Sequence, residues 1–184
     1  MVAAGPFTFK NSLQYQGLLD FLAIARKESP HALLLLGPFV DMSNTEIATG
    51  DLHFENQGAT CFVSHEELFR DLLNTVQKEL QGVRTKVILV PSTKDVHHFE
   101  PIPQAPFYER LPPGFTAVPN PCVLQLNEVR VHVINTDVIK DICPNMFAKN
   151  MAPAKIDLAL KGIFEQRLAY PMYPPNPDTP IEYD

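Results

Sequence analysis

Two short, unbroken apolar runs constrain this chain more than anything else in it: HALLLLG at residues 31–37 and KVILVP at residues 86–91. Neither alternates polar with apolar residues, and both are short and bounded, so they read as strands buried on both faces of a sheet. An amphipathic helix is predicted ahead of each. Residues 11–29 place Tyr15, Leu18, Leu19, Leu22 and Ala25 at helical spacing, with Arg26 and Lys27 suited to a last turn and Pro30 as the stop. Ser64 and Glu67 form a capping-box pattern before the stripe Leu68, Phe69, Leu72, Leu73, Val76 and Leu80, which ends at Gly82. Helix, strand, helix, strand in this order predicts a layered α/β sheet with helices packed on its faces. A chain of 184 residues can bury one full core, so a single domain over residues 1–184 is expected.

The pattern changes after Pro91. Residues 92–121 carry Pro101, Pro103, Pro106, Pro112, Pro113, Pro119 and Pro121, and are expected to form a stiff surface loop without regular structure. CVLQLNEVRVHVIN then alternates about Asn127-Glu128, which predicts a hairpin between strands near 122–126 and 129–134. In PAKIDLALKGIFEQRL, Ile156, Leu160, Ile163 or Phe164, and Arg167 or Leu168 have the spacing of a final helix, with Pro153 near its start. The tail AYPMYPPNPDTPIEYD is too rich in proline for helix, and TGDLHFENQG, residues 49–58, reads as a polar surface loop.

A net charge of -6 argues against a strong direct grip on nucleic acid, because that affinity comes mainly from Lys and Arg neutralising phosphates. Contact with DNA is therefore expected only through a partner. The longest apolar stretch is far too short to span a bilayer, and MVAAGPFTFK lacks the basic-then-apolar order of an export signal, so no membrane role is expected. Cys61, Cys122 and Cys143 are odd in number and lack CxxC spacing, which fits free core or surface thiols in a reducing compartment.

Ligands of α/β sheets gather at the C-terminal ends of the strands. This places GPFVD and PSTKDVHH at the candidate site. Together they resemble the calcineurin-like metallophosphoesterase pattern, in which strand ends supply Asp-x-His, Gly-Asp, Gly-Asn-His-Asp or Glu, and later histidines. In that family these groups hold two metal ions that clamp a phosphate and activate water. The resemblance keeps the frame and loses the ligands. VAAGPFTF offers no Asp or His; Gly37 remains, but Pro38 stands where the bridging aspartate would; Thr93 and Lys94 replace the asparagine and histidine; Asp95 survives. A lysine there fits an acidic pocket without metal, in which its ammonium replaces the missing charge. The expectation is a degenerate site with no catalytic residue, no metal and no cofactor.

In combination, AAGPFTF, LLLLGPFVD, VPSTKDVHH, YPMYPP and the terminal IEYD resemble the B subunits of eukaryotic DNA polymerase alpha, from about residue 3 to the end. That resemblance implies an inactive phosphoesterase-like domain, joined to an OB-fold that is not evident in this chain. It also implies a nuclear scaffold in replication initiation, bound to the zinc-containing C-terminal domain of the polymerase alpha catalytic subunit, with primase reached through that partner.

Individual residues carry weaker signals. Asp41 suits a turn or a helix cap. His97 and His98 are adjacent and diverge, which favours structural or partner-contact roles over a shared ion. His132 is expected half-buried in a strand, His31 at a sheet edge, and His53 and His65 in or beside the 49–58 loop. A rival class is a divergent metal-dependent phosphodiesterase or nuclease using Asp41, Asp95, His97, His98 and His132. It lacks the ligand count for two ions roughly 4 Å apart. Single-stranded DNA binding, the third class, is disfavoured by the acidic charge. Phe99, Phe107, Tyr108, Tyr170 and Tyr173 sit on proline-stiffened backbone; of these, Phe107, Tyr108, Tyr170 and Tyr173 are the candidates for partner binding, with a return over the domain's own core as the alternative.

Overall fold

The chain opens with β1 (Val2–Ala4), α1 (Gln16–Glu28), β2 (Ala32–Leu36) and the single-turn α2 (Thr45–Ala48). Next come the hairpin strands β3 (His53–Asn56) and β4 (Ala59–Phe62), then α3 (His65–Glu79) and β5 (Lys86–Val90). A 3-10 turn (Val96–His98) and β6 (Phe115–Ala117) precede the hairpin strands β7 (Cys122–Leu126) and β8 (Val129–Val133), followed by α4 (Val138–Asn145) and α5 (Lys155–Gln166). The structure is a computed structural model that describes residues 1–50, 52–56, 59–147 and 154–182, with backbone alone over 53–56 and 59–61. The chain divides into two compact units, Met1–Asn135 and Thr136–Asp184.

In the first unit β1, β2, β5 and β6 lie side by side in that order, all parallel, so the unit is α/β with a parallel sheet flanked by helices. The two crossovers step along the sheet in the same direction, so right-handed connections put α1 and α3 on one face. There the helices pack against each other. Leu33, Leu35, Val87 and Leu89 point into that layer and meet Leu18, Leu22 and Ala25 of α1 and Leu72, Leu73 and Val76 of α3. Burial is complete on that face and partial on the other: Leu34, Leu36 and Ile88 are half-buried on the side away from both crossover helices, and Val90 there is fully buried.

Helix α3 begins as its sequence dictates. Ser64 Oγ accepts from the Glu67 N–H (3.2 Å) and Glu67 Oε2 accepts from the Ser64 N–H (2.8 Å), which satisfies two donors that a bare helix end leaves open. Helix α1 starts at Gln16, later than the periodicity predicted, after a Ser12–Gln14 turn. The hairpin of β7 and β8 turns at Asn127, whose φ of 56° is the left-handed conformation that asparagine tolerates.

Three elements depart from expectation. The proline-rich segment contains β6, because Phe115–Ala117 is free of proline and pairs with β5. Part of the 49–58 loop is strand: His53–Asn56 pairs antiparallel with Ala59–Phe62, in which Thr60 and Phe62 are residues that favour strands. Helix α4 was not foreseen, since Pro144 near its end reads as a breaker.

In the second unit α4 packs on α5, and the tail follows without helix. The buried Asp141 organises that tail: its carboxylate accepts from Tyr170 Oη (2.9 Å), Thr179 Oγ1 (2.7 Å) and Asn176 Nδ2 (2.7 Å). Helix α5 forms where foreseen but turns another face inward: Ala159 is buried, while Ile156, Leu160 and Phe164 of the expected stripe are exposed. Pro153 lies outside the described residues.

Replacing Ser64 by Ala is expected to lower unfolding stability by about 1 kcal/mol, the usual worth of such a cap. Urea denaturation checks this: a lower midpoint at unchanged slope is the expected result.

Candidate functional site

Strands β2 and β5 end side by side, and the segments that leave them are held together by backbone before any side chain acts. The Gly37 N–H donates to the Val90 carbonyl (2.9 Å), Val96 N–H to Val40 (3.0 Å) and Met42 N–H to Lys94 (3.0 Å). Asp95 then closes the arrangement. Its Oδ1 accepts from the Phe39 (2.5 Å) and Val40 (3.0 Å) N–H groups of one loop, and its Oδ2 accepts from the Ser92 N–H (3.0 Å) of its own. A carboxyl group offers about four lone-pair sites, so these three bonds leave one, which can carry a proton. Gly37 is required by this geometry, because a Cβ there would run into Asp95 Oδ2.

Asp95 is 0% exposed. Burial pushes its carboxyl up from 3.8 to about 7, against the three backbone N–H bonds that pull it down, with the nearby Asp41 charge adding to the rise.

A second layer of amides, buried at Gln104 and Asn120 and half-buried at Asn135, ties the same strand ends. Asn135 Nδ2 donates to the carbonyls of Gly37 (3.1 Å) and Pro91 (3.0 Å), bridging the exits of β2 and β5. Asn120 Oδ1 accepts from the Asn135 N–H (2.8 Å), and Asn120 exchanges backbone bonds with Gln104. The Gln104 Nε2 donates to the carbonyls of Ser92 (3.1 Å) and His98 (2.8 Å). Sequence reasoning missed Gln104, Asn120 and Asn135. The one available signal was Asn120 held between Pro119 and Pro121.

The predicted site residues separate into those drawn in and those left out. Gly37, Pro38, Asp41, Asp95 and His98 are buried, and Thr93 is half-buried. Asp41 forms a turn, accepting from the Ser43 N–H (3.1 Å) and from Ser43 Oγ. Lys94 is exposed and does not fill the acidic pocket expected for it: its carbonyl is used by Met42, and its side chain points outward. His98 Nε2 donates to the Ala105 carbonyl (2.8 Å). His97 lies parallel to the Phe107 ring (5.4 Å between centroids, 8°) and against Phe69 (4.3 Å), and both its ring nitrogens lack hydrogen-bond partners. Burial lowers its pKa from 6.5 to about 4.

The remaining histidines lie elsewhere. His132 is exposed on β8, not half-buried, because its face of the hairpin is open to solvent. His31 precedes the central strand β2, and His65 Nε2 meets the Ile47 carbonyl (3.0 Å). The His53 and Cys61 side chains lie outside the described residues.

Among the aromatic candidates, Phe107 is 5% exposed and packs on Phe39 and Phe69, so it belongs to the core. Tyr108 beside it is exposed and donates to Glu100 Oε1 (2.8 Å), and Phe99 is exposed. Tyr170 serves the Asp141 cluster, while Tyr173 is 84% exposed.

Two metal ions, which a phosphoesterase of the resembling type would need, do not fit these residues. Asp95 is engaged by backbone, Pro38 has no donor atom, and among the described residues no group of three or more His, Cys, Asp or Glu is placed to hold an ion. Nor is any helix of the described residues long and apolar enough to cross a membrane.

The sequence model of the DNA polymerase alpha/epsilon B-subunit family matches residues 1–184. The chain is similar to the DNA polymerase alpha B subunit of Mus musculus, 32% identical over 190 residues that cover 100% of this chain and 30% of the relative. It is also similar to the proteins of the same name from Drosophila melanogaster (30% identical, 100% of this chain and 28% of the relative) and Saccharomyces cerevisiae (29%, 99% and 27%). The chain thus spans under a third of the length of these curated relatives.

The two buried titrating groups give opposite pH slopes. The folded chain holds the Asp95 proton more tightly than the unfolded chain, so that contribution is full below about pH 4 and is lost as pH rises through about 7. His97 contributes above about 6.5 and its contribution is lost as pH falls through about 4. His97→Phe, which keeps the ring packing, is expected to leave stability that falls from about pH 4 to about 7, by on the order of a few kcal/mol. Asp95→Asn is expected to be less stable throughout and to show the reverse slope between about 4 and 6.5. Urea midpoints across this range check both; parallel profiles for the two variants would refute the assignment.

Proposed function

Since the chain belongs to the DNA polymerase alpha/epsilon B-subunit family, we propose that it is a non-catalytic scaffold portion of a DNA polymerase alpha B subunit, acting in the nucleus at the initiation of replication. Its partner is the C-terminal domain of the polymerase alpha catalytic subunit. Primase is reached through that partner, and DNA through the assembled complex. Its residues 1–184 work as one functional domain on a calcineurin-like phosphoesterase frame that has lost its chemistry.

The observation that carries this reading is the state of Asp95. The acidic residue retained from the phosphoesterase pattern has three lone-pair sites engaged by the N–H groups of Phe39, Val40 and Ser92. A group so held organises two loops and is poorly placed to ligate a cation. Gly37, Pro38, Asp41, Thr93, Lys94, His97 and His98 accordingly serve as structural remnants of a site, with no catalytic role.

Binding then falls to exposed rings on each unit taken by itself. In the first unit Tyr108 is exposed and Phe107 anchors its loop from beneath; in the second Tyr173 is exposed and Tyr170 fixes the tail that carries it. Rigid aromatic groups suit such contacts because little conformational freedom is lost when they are covered.

A pull-down with the C-terminal domain of a polymerase alpha catalytic subunit tests the proposal. The chain is expected to be captured, and the double substitution Tyr108→Ala with Tyr173→Ala to weaken capture by about tenfold, as for interface aromatic anchors. Failure of the chain to bind, under conditions in which the B subunit of full length is captured, would contradict it.

A further inference from the structure

The N-terminal end of the parallel sheet carries a charge opposite to that of the chain as a whole. Helices α1 and α3 run back along the strands, so their last turns, with Arg26, Lys27 and Lys78, arrive where β2 and β5 begin. Thr85 Oγ1 donates to the Pro30 carbonyl (2.7 Å) and the Lys86 N–H to the His31 carbonyl (3.1 Å), which ties the exit of α1 to the start of β5. Arg84 and Lys86 flank that tie. Five exposed cations thus share this end with the carboxylates of Glu28 and Glu79, in a chain of net charge -6.

Among the described residues the ion pairs are His98 with Glu100 and Lys161 with Glu165, so none of these five cations is paired with a carboxylate. Arg26, Lys27 and Lys78 have a local explanation, since positive charge offsets the partial negative charge of a helix C-terminus. Arg84 and Lys86 do not: they lie on a loop and a strand past the end of α3. Both line an open cavity of about 310 Å³, whose other walls include Leu80, Val83, Phe115 and Gln77.

We propose that this end of the sheet is a docking site for an acidic peptide. One apolar side chain of the peptide enters the cavity, its carboxylates meet Arg84 and Lys86, and the three helix-end cations extend the attractive field. A nucleic-acid strand is a poorer occupant, because it needs a longer cationic track with rings for stacking. The surface lies at the opposite end of the strands from the Asp95 loops, so the inference stands independently of the scaffold assignment.

Fluorescence anisotropy with the full chain tests it, using a fluorescein-labelled polyglutamate peptide with one central leucine at low ionic strength. Saturable binding is expected, weakened by added salt and by exchange of the leucine for serine. Joint Arg84→Gln and Lys86→Gln substitution is expected to weaken binding about tenfold, and Arg26→Gln with Lys27→Gln about threefold, in keeping with their direct and flanking places. Circular dichroism establishes that each variant is folded; should the first pair not fold, Arg84→Gln alone takes its place. Absence of saturable binding, or equal binding by the Arg84 variants, would overturn the proposal. So would tighter binding of a labelled oligothymidylate that the same variants abolish, which would assign the surface to nucleic acid.

Discussion

The carboxyl group of Asp95 is the contact on which the ordering of the strand ends depends. It accepts from two residues of the loop after β2 and one of the loop after β5, so a single side chain sets the course of both segments. The cost of burying it is high unless its lone pairs are satisfied, and three backbone donors meet most of that demand. Gly37 is the reciprocal requirement, since any side chain there would occupy the carboxyl's place. Aspartate and glycine therefore specify each other across two strands.

Around that contact the chain closes its own sheet. Asn135 spans the carbonyls of Gly37 and Pro91, Asn120 holds Asn135, and Gln104 exchanges backbone bonds with Asn120. Satisfied buried networks of this kind are rigid, because breaking one bond strands its partner in a low-dielectric setting. On the flank, Phe39, Phe69 and Phe107 form a ring cluster in which His97 takes the part of a fourth aromatic. At the strand ends the side chains of Asp95, Gln104, Asn120 and Asn135 are thereby spent on backbone partners.

How much of this could be read from the sequence follows from the range of the forces involved. The two central strands, the capped helix α3 and the β7–β8 hairpin were legible, because apolar runs, a capping box and a turn asparagine act within a few residues. Asp95 was singled out through its place in PSTKDVHH, though its partners across the sheet were not. The amide network was invisible: Gln104, Asn120 and Asn135 come from separate loops, and asparagine beside proline looks like any turn. Phe107 and Tyr108 are neighbours in a proline-rich segment, yet one is core and the other surface, a distinction that only the path of the backbone makes. Lys94 is exposed for the same reason, as residue type alone does not say on which side of a loop a side chain leaves.

Retention of manganese is the most direct measure of whether the strand ends are knit together or open to cations. After loading with excess manganese and desalting, elemental analysis is predicted to find no metal held by the chain, and the same for Asp95→Asn. Two equivalents retained by the unsubstituted chain and lost on that substitution would contradict the account.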